Sequence, residues 1–296
     1  MKKIVFDCDN TFGVPGCDVD DGLALLYLLG DPQAELLGIT TTYGNNRLEV
    51  VQETTEGMLR NLGRTDIPVK RGGEARGCYD SEAARYLAET AAAEPGQISI
   101  LATGSLTNLL GARRQDPHFF ENVREIVLMG GITEPLVFEK KVMDELNFSC
   151  DPEASFAVLT EGRNVSVITG NNCLKVLFTR EEYRRRLFAG DTPAGRYIRE
   201  KTDYWFRYNE EDYGIGGFYN WDVTAAVCLM HPELFISSPG RYDIQREDLR
   251  TGWLREGRDG GCRLDLPRIR EGEEFKSNIY DTWLRVPFRT AEGVTP

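Results

Sequence analysis

The sequence predicts an α/β fold, a single domain with a mostly parallel, Rossmann-like central sheet flanked by helices. Three observations predict it. Short apolar runs of four to six residues alternate with helical stretches of ten or more, the pattern of βαβ units. The 41% apolar content of 296 residues is enough for one large core. No linker-like composition and no internal repeat occurs before about residue 288, so residues 1–288 are expected to form one domain and 289–296 a flexible tail without apolar anchors.

The elements follow in order. Residues 2–6 are β-branched and aromatic, suited to a buried strand, and residues 20–29 (DDGLALLYLL) are apolar on more than one face, as in a helix packed against a sheet. Residues 35–42 (ELLGITTT) form a strand ending in the turn signal Tyr43-Gly44-Asn45-Asn46. Helical spacing over 48–62 stops at Gly63, a residue suited to a helix C-terminus. A short strand at 67–70 and an alanine-rich helix over 81–93 come next. Strands at 98–102 and 125–129 enclose a helix at 106–113, and 165–169 is a further strand. The alternation weakens after Asp222, where 257–261 reads as a hairpin-like turn between two polar strands.

Composition narrows the function. Acids outnumber bases 47 to 35, and the net charge of −12 opposes nucleic-acid or anionic-membrane partners. No stretch reaches the length of uncharged apolar residues that a membrane helix needs. The opening MKKIVFDCDN has too short an apolar run for a signal peptide. Seven cysteines, odd in number and never in a CxxC pair, predict reduced thiols and a cytoplasmic protein, not a zinc cluster or disulfide framework. A soluble enzyme of small molecules is the expectation.

Asp7, Asp9, Asp18, Asp20 and Asp21 crowd the loop after the first strand, where an open α/β sheet places its ligands. Converging carboxylates repel one another unless protons or a cation intervene, and oxygen donors without a His or Cys cluster favour Ca²⁺ or Mg²⁺. Capping of the following helix is the alternative, and for Asp18 the preferred one.

Two families share this opening. Asp7-Cys8-Asp9-Asn10-Thr11 resembles the DxDxT motif of haloacid-dehalogenase-like phosphatases, which implies Asp7 as nucleophile, Asp9 as acid/base and Mg²⁺ as cofactor. The longer segment DCDNTFGVPGCDVDDGLALL resembles the DxDPGxDDxxAL motif of the inosine-uridine preferring nucleoside hydrolase family, with about seven residues inserted. Downstream motifs decide. Residues 38–45 (GITTTYGN), 102–108 (ATGSLTN), 126–131 (IVLMGG), 145–154 (ELNFSCDPEA) and the pair Trp221-Asp222 are similar to that family's motifs, in family order.

The resemblance implies hydrolysis of the N-glycosidic bond of ribonucleosides by attack of a Ca²⁺-bound water, through an oxocarbenium-like state. It implies Asp9, Asp21, Asp222 and the Leu128 carbonyl as metal ligands, Asp9 as general base, and Asp20 on the ribose hydroxyls. Asn45, Glu145 and Asn147 bring the directional polar chemistry a sugar requires, although Asn45 also suits a turn. Where the family has an asparagine for the ribose 5′ end, this chain has Glu139. Trp221 stands where many members have a histidine that acts as a general acid, and resembles the purine-specific branch, in which an indole stacks on the base; core packing is its alternative. Tyr79 is a candidate second stacking face, with an exposed loop tyrosine as the preferred alternative. Residues 204–219, rich in aromatics and glycine, suggest a mobile lid, while helix packing explains 204–208 as well. A homodimer or homotetramer is implied. Two rival functions stand beside this one: the Mg²⁺-dependent phosphatase, and a non-catalytic nucleoside-binding protein with the nucleoside hydrolase fold.

Overall fold

The computed structural model describes residues 1–188, 190–257, 260–290 and 293–295. The chain begins with strand β1 (Lys2–Cys8), whose last five residues are buried. Helix α1 (Asp20–Gly30) follows, then β2 (Ala34–Thr41), α2 (Leu48–Asn61), β3 (Val69–Arg71), α3 (Glu82–Ala93), β4 (Ile98–Ala102), α4 (Thr107–Gln115) and β5 (Glu125–Met129). Local chemistry sets the boundaries. Gly63, at φ +65°, sends its N–H back to Arg60 O and ends the α2 region. The Ser81 hydroxyl accepts from Ala84 N and starts α3.

These strands lie in a nine-stranded sheet. Its order runs β3-β2-β1-β4-β5, then Val165–Ile168, Cys262–Asp265, Pro239–Asp243 and Arg255–Glu256. Pairing is parallel from β3 to Cys262–Asp265, and Pro239–Asp243 is antiparallel to both of its neighbours. The fold is therefore α/β with a mostly parallel sheet flanked by helices. The two polar strands around 257–261 do not pair with each other, because Pro239–Asp243 lies between them; residues 258 and 259 fall outside the described set. Of the expected tail, residues 291, 292 and 296 are also outside it, while Phe288–Thr290 and Gly293–Thr295 form a two-stranded ladder.

The chain builds outward from β1 in both directions, to β2 and β3 on one side and to β4 and β5 on the other. The reversal of strand order between β1 and β4 opens a crevice at their carboxyl ends. One hydrophobic core joins α1 to the helices Trp221–Met230 and Gly272–Trp283, and a second packs α3, α4 and Pro152–Glu161 on the opposite face. α1 is buried nearly all round, which explains its apolar sequence on every face. Among the described residues, no helix is long and apolar enough to cross a membrane.

Candidate active site

β1 delivers Asp7 and Asp9 to the crevice, both fully buried. Asp7 is anchored, not free: the Thr40 hydroxyl and the Asn108 amide (2.8 Å) donate to Oδ1, and its backbone carbonyl accepts from Thr103 N at 2.9 Å. These bonds lock β1 to β2 and to the turn after β4. Asp9 accepts from the Asn45 backbone N–H at 2.6 Å and from the Asn45 side chain at 3.3 Å. That approach requires Gly44, because a Cβ there would lie 1.9 Å from Asp9 Oδ2.

Two helix starts complete the cluster. Asp20 and Asp21 occupy the first turn of α1, and Asp222 the first turn of Trp221–Met230. A helix N-terminus favours negative charge, so these positions suit carboxylates. The Asp222 backbone N–H donates to Asp20 Oδ2 (3.1 Å), and the Thr103 hydroxyl to Asp21 Oδ1 (2.6 Å). Asn45 reaches Asp21 at 3.4 Å and so bridges it to Asp9. Carboxylate oxygens of Asp20, Asp21 and Asp222 lie within 4.8 Å of one another. Asp18, two residues earlier, is not in that group; its side chain accepts from Val19 N.

Burial raises the affinity of all these carboxyls for protons. Asp7 is pushed up to about 7 and Asp9 to about 6, while Asp20, Asp21 and Asp222 also rise, Asp21 and Asp222 further still under the charge of their acidic neighbours. Among the described residues, no ion pair reaches Asp9, Asp20, Asp21 or Asp222. Buried carboxylates without a cationic side chain, offering only oxygen, fit a bound hard metal ion.

Above the cluster lies a cleft of about 540 Å³. Asp20, Asn45, Glu145, Asn147, Trp221 and Asp222 all line it, so the structure gathers most of the expected site residues at one place. The Glu145 carboxylate accepts from the backbone N–H groups of Gly131, Phe148 and Ser149, which gives it a structural task as well as a place in the wall. The Asn147 amide donates to the carbonyls of Thr103 (2.8 Å) and Met129 (3.0 Å).

Two expected residues, Tyr79 and Glu139, lie outside the cleft lining. Leu128 sits within β5, paired with Ala102 and Val167, one residue before Met129, which lines the cleft. The strand next to β1 is β4, so the backbone beside the aspartates is that of Thr103, which also lines the cleft. Tyr79 lies under the Arg114 guanidinium (3.9 Å) and donates to Asp151 at 3.3 Å, away from the cleft. Glu139 is exposed in the turn between Leu136–Val137 and Val142–Met143, against Gly214.

The inserted loop and the aromatic stretch 204–219 also contribute to the wall. Gly16, Cys17 and Asp18 of the inserted loop line the cleft, held in place by Tyr204 donating to Cys17 O (2.8 Å). Trp205 and Tyr208, near the end of helix Pro193–Tyr208, stack at 4.8 Å, and Tyr213 follows in the turn behind them. Both histidines are remote from the cleft lining: His118 is exposed beside Glu121, and His231 bonds Asp31 and Glu233.

Comparison with known proteins agrees with this geometry. The profile of the family described as inosine-uridine preferring nucleoside hydrolase matches residues 4–260. The chain is 28% identical to a probable uridine nucleosidase 2 of Arabidopsis thaliana, over 85% of this chain and 84% of that one. It is also 28% identical to the inosine-uridine preferring nucleoside hydrolase of Crithidia fasciculata, over 82% and 84% of the two chains. A solved plant nucleoside hydrolase superposes with a TM-score of 0.82 at 25% identity, covering 96% of this chain and 99% of its own. The fold is shared with a purine-preferring ribonucleoside hydrolase of Gardnerella vaginalis, at TM-score 0.83 and 22% identity, over 96% and 99%. With the family profile spanning the aspartates of β1 and α1, the cleft residues and Asp222, the chain belongs to the inosine-uridine preferring nucleoside hydrolase family and is an N-ribosyl hydrolase.

Proposed function

We propose that this enzyme cleaves purine ribonucleosides to free base and ribose, with Ca²⁺ as its metal. The buried aspartate cluster under a cleft of nucleoside size carries the reading. Asp9, Asp21 and Asp222 would hold the ion together with the backbone carbonyl of Leu128, near the carboxyl end of β5. When bound, Ca²⁺ supplies Lewis acidity, lowering the pKa of water and anchoring ribose hydroxyls. Asp20, which belongs both to the cluster and to the cleft wall, accepts hydrogen bonds from those hydroxyls. Asp9 takes the proton of the attacking water. Asn45 fixes the Asp9 carboxylate through two bonds, and Asn147 lies along the sugar.

Trp221, adjacent to Asp222 and in the cleft wall, offers a stacking face for the base. The Arabidopsis relative's name carries the opposing reading, a uridine substrate. Measuring kcat/KM for inosine, adenosine, guanosine, uridine and cytidine separates them. Purines are expected to exceed pyrimidines by about tenfold, the scale of one aromatic stacking contact, and Trp221→Ala to erase that margin. Uridine as the best substrate, unaffected by Trp221→Ala, contradicts the base assignment. A cytoplasmic enzyme, one domain over residues 1–288 and a homodimer or homotetramer complete the proposal.

A further inference from the structure

We propose that Asn220 and Tyr183 hold an internal water molecule behind Asp20, and that this hydrated pair positions the Asp20 carboxylate for the ribose; the ribose role of Asp20 rests on the reading above. Unpaired polar atoms carry the inference. Among the described residues, eight buried side-chain nitrogen and oxygen atoms have no hydrogen-bond partner, and five of them gather around one tyrosine. They are the Tyr183 hydroxyl, both amide atoms of Asn220, the Tyr280 hydroxyl and Glu182 Oε1. The Tyr183 and Tyr280 ring centroids are 5.6 Å apart, and Glu182 precedes Tyr183 in the helix Arg180–Phe188. A buried polar group without a partner is costly, so this concentration calls for an occupant. The Asn220 amide offers both donors and an acceptor, and so does the phenol. The match is a small neutral molecule that donates and accepts, which is water and not an ion.

Asn220 links this site to the reaction. It precedes the helix Trp221–Met230, at the position where an asparagine ordinarily caps with its side chain, yet it makes no such bond. Its carbonyl accepts from Thr224 N (3.1 Å) and from the Thr224 hydroxyl (2.7 Å), while the amide of this residue, 1% exposed, stays unpaired.

Tyr183 faces it, also buried, among the rings of Phe178, Phe206 and Phe218. Burial holds the phenol proton well above its usual range, Asn220 eases that hold, and the charges of Glu182 and Asp20 add to it. The hydroxyl thus stays a donor and feels both Asn220 and Asp20, but is in hydrogen-bond geometry with neither. An internal water makes about three hydrogen bonds, so one remains for Asp20 after Asn220 and Tyr183 are served. On its other flank Asp20 Oδ2 already accepts from Asp222 N at 3.1 Å. Bonds from two directions fix the plane of a carboxylate.

A crystal structure of the wild-type protein and inhibition of ribose release from inosine test this. An ordered water within hydrogen-bond distance of both the Asn220 amide and the Tyr183 hydroxyl is expected; its absence overturns the proposal whatever the activity. Free ribose and hypoxanthine then separate positioning from general damage, since of the two only ribose brings hydroxyls to Asp20. Asn220→Leu, which keeps the volume and removes the amide, and Tyr183→Phe should each weaken inhibition by ribose about tenfold, the worth of one hydrogen bond, and leave inhibition by hypoxanthine within about twofold. The double variant should lose no more than either single one, because both remove the same water. Asn220→Ser, which keeps an oxygen for the water, should hold ribose inhibition within about threefold of the wild type. Equal weakening of both inhibitors, or losses that multiply in the double variant, overturns the proposal. So does an Asn220→Leu protein with a higher Tm and unchanged ribose inhibition, the behaviour of a dry, unpaired amide. No ribose release from inosine by the wild type overturns the hydrolase reading instead, and the water then stands or falls on the crystal structure alone.

Discussion

Asp9 is a carboxylate with no solvent, no cationic partner and acidic neighbours, tethered by two bonds from Asn45. Replacing it with asparagine keeps the shape and removes both the charge and the base. Asp9→Asn is expected to lower turnover by about 10²–10⁴-fold, the usual contribution of a positioned base, and to leave the metal-free protein at least as resistant to heat, because one repelling charge is gone. Undiminished ribose release from the variant removes Asp9 from this role. Asn108 makes a contrasting case. Its amide donates to Asp7 Oδ1 and to Thr41 O and accepts from Gly73 N, all buried. Asn108→Ala leaves those groups unpaired and should cost about 1–3 kcal/mol in urea unfolding; a loss below roughly 0.5 kcal/mol contradicts the network. The aspartates were legible in the sequence because their chemistry demands that residue type. A backbone carbonyl carries no residue signature, so Leu128 came from the family resemblance alone. Tyr79 and Glu139 entered only through the family resemblance; tertiary partners, Arg114 and the Gly214 turn, hold them outside the cleft lining.

Elements explain how so many acids can be held together. Two helices start at the same point, and their first turns present Asp20, Asp21 and Asp222 where backbone N–H groups offset negative charge. The turn after β2 closes the shell from the other side, and it can do so only with glycine. Gly44 is not in the left-handed region, so Gly44→Ala tests packing without backbone strain: its Cβ would fall 1.9 Å from Asp9 Oδ2. Displacing that carboxylate by about 1 Å should cost about 10²-fold in kcat/KM with the fold retained. Wild-type activity in Gly44→Ala would mean that Asp9 tolerates movement and is not the base. Strand and helix positions were readable from periodicity, since β4 and β5 depend on buried apolar runs. The inserted loop was not. Its path depends on Phe12 packing on Gly22 and on Tyr204 donating to Cys17 O, partners that no local pattern reveals.

At the scale of the molecule, folding gathers more negative charge than the chain can balance, so metal and pH should act together. An unfolded aspartate titrates near 4, whereas Asp9 is raised to about 6 and Asp7 to about 7. The folded state therefore binds more protons between about pH 4 and 7, and the stability of the metal-free protein falls as pH rises through that window. Calcium binding to the ionised cluster offsets the loss, so the rise in Tm on adding Ca²⁺ should be larger at pH 7.5 than at pH 5. An equal rise at both pH values would disconnect the metal from these carboxylates. The most direct measurement of all is free-ribose release from the five common nucleosides with Ca²⁺ and again after chelation. Release is expected to be strongest for purines, to be lost on chelation and to return with Ca²⁺. Release that persists at full rate without metal, or none from any nucleoside under either condition, would contradict it.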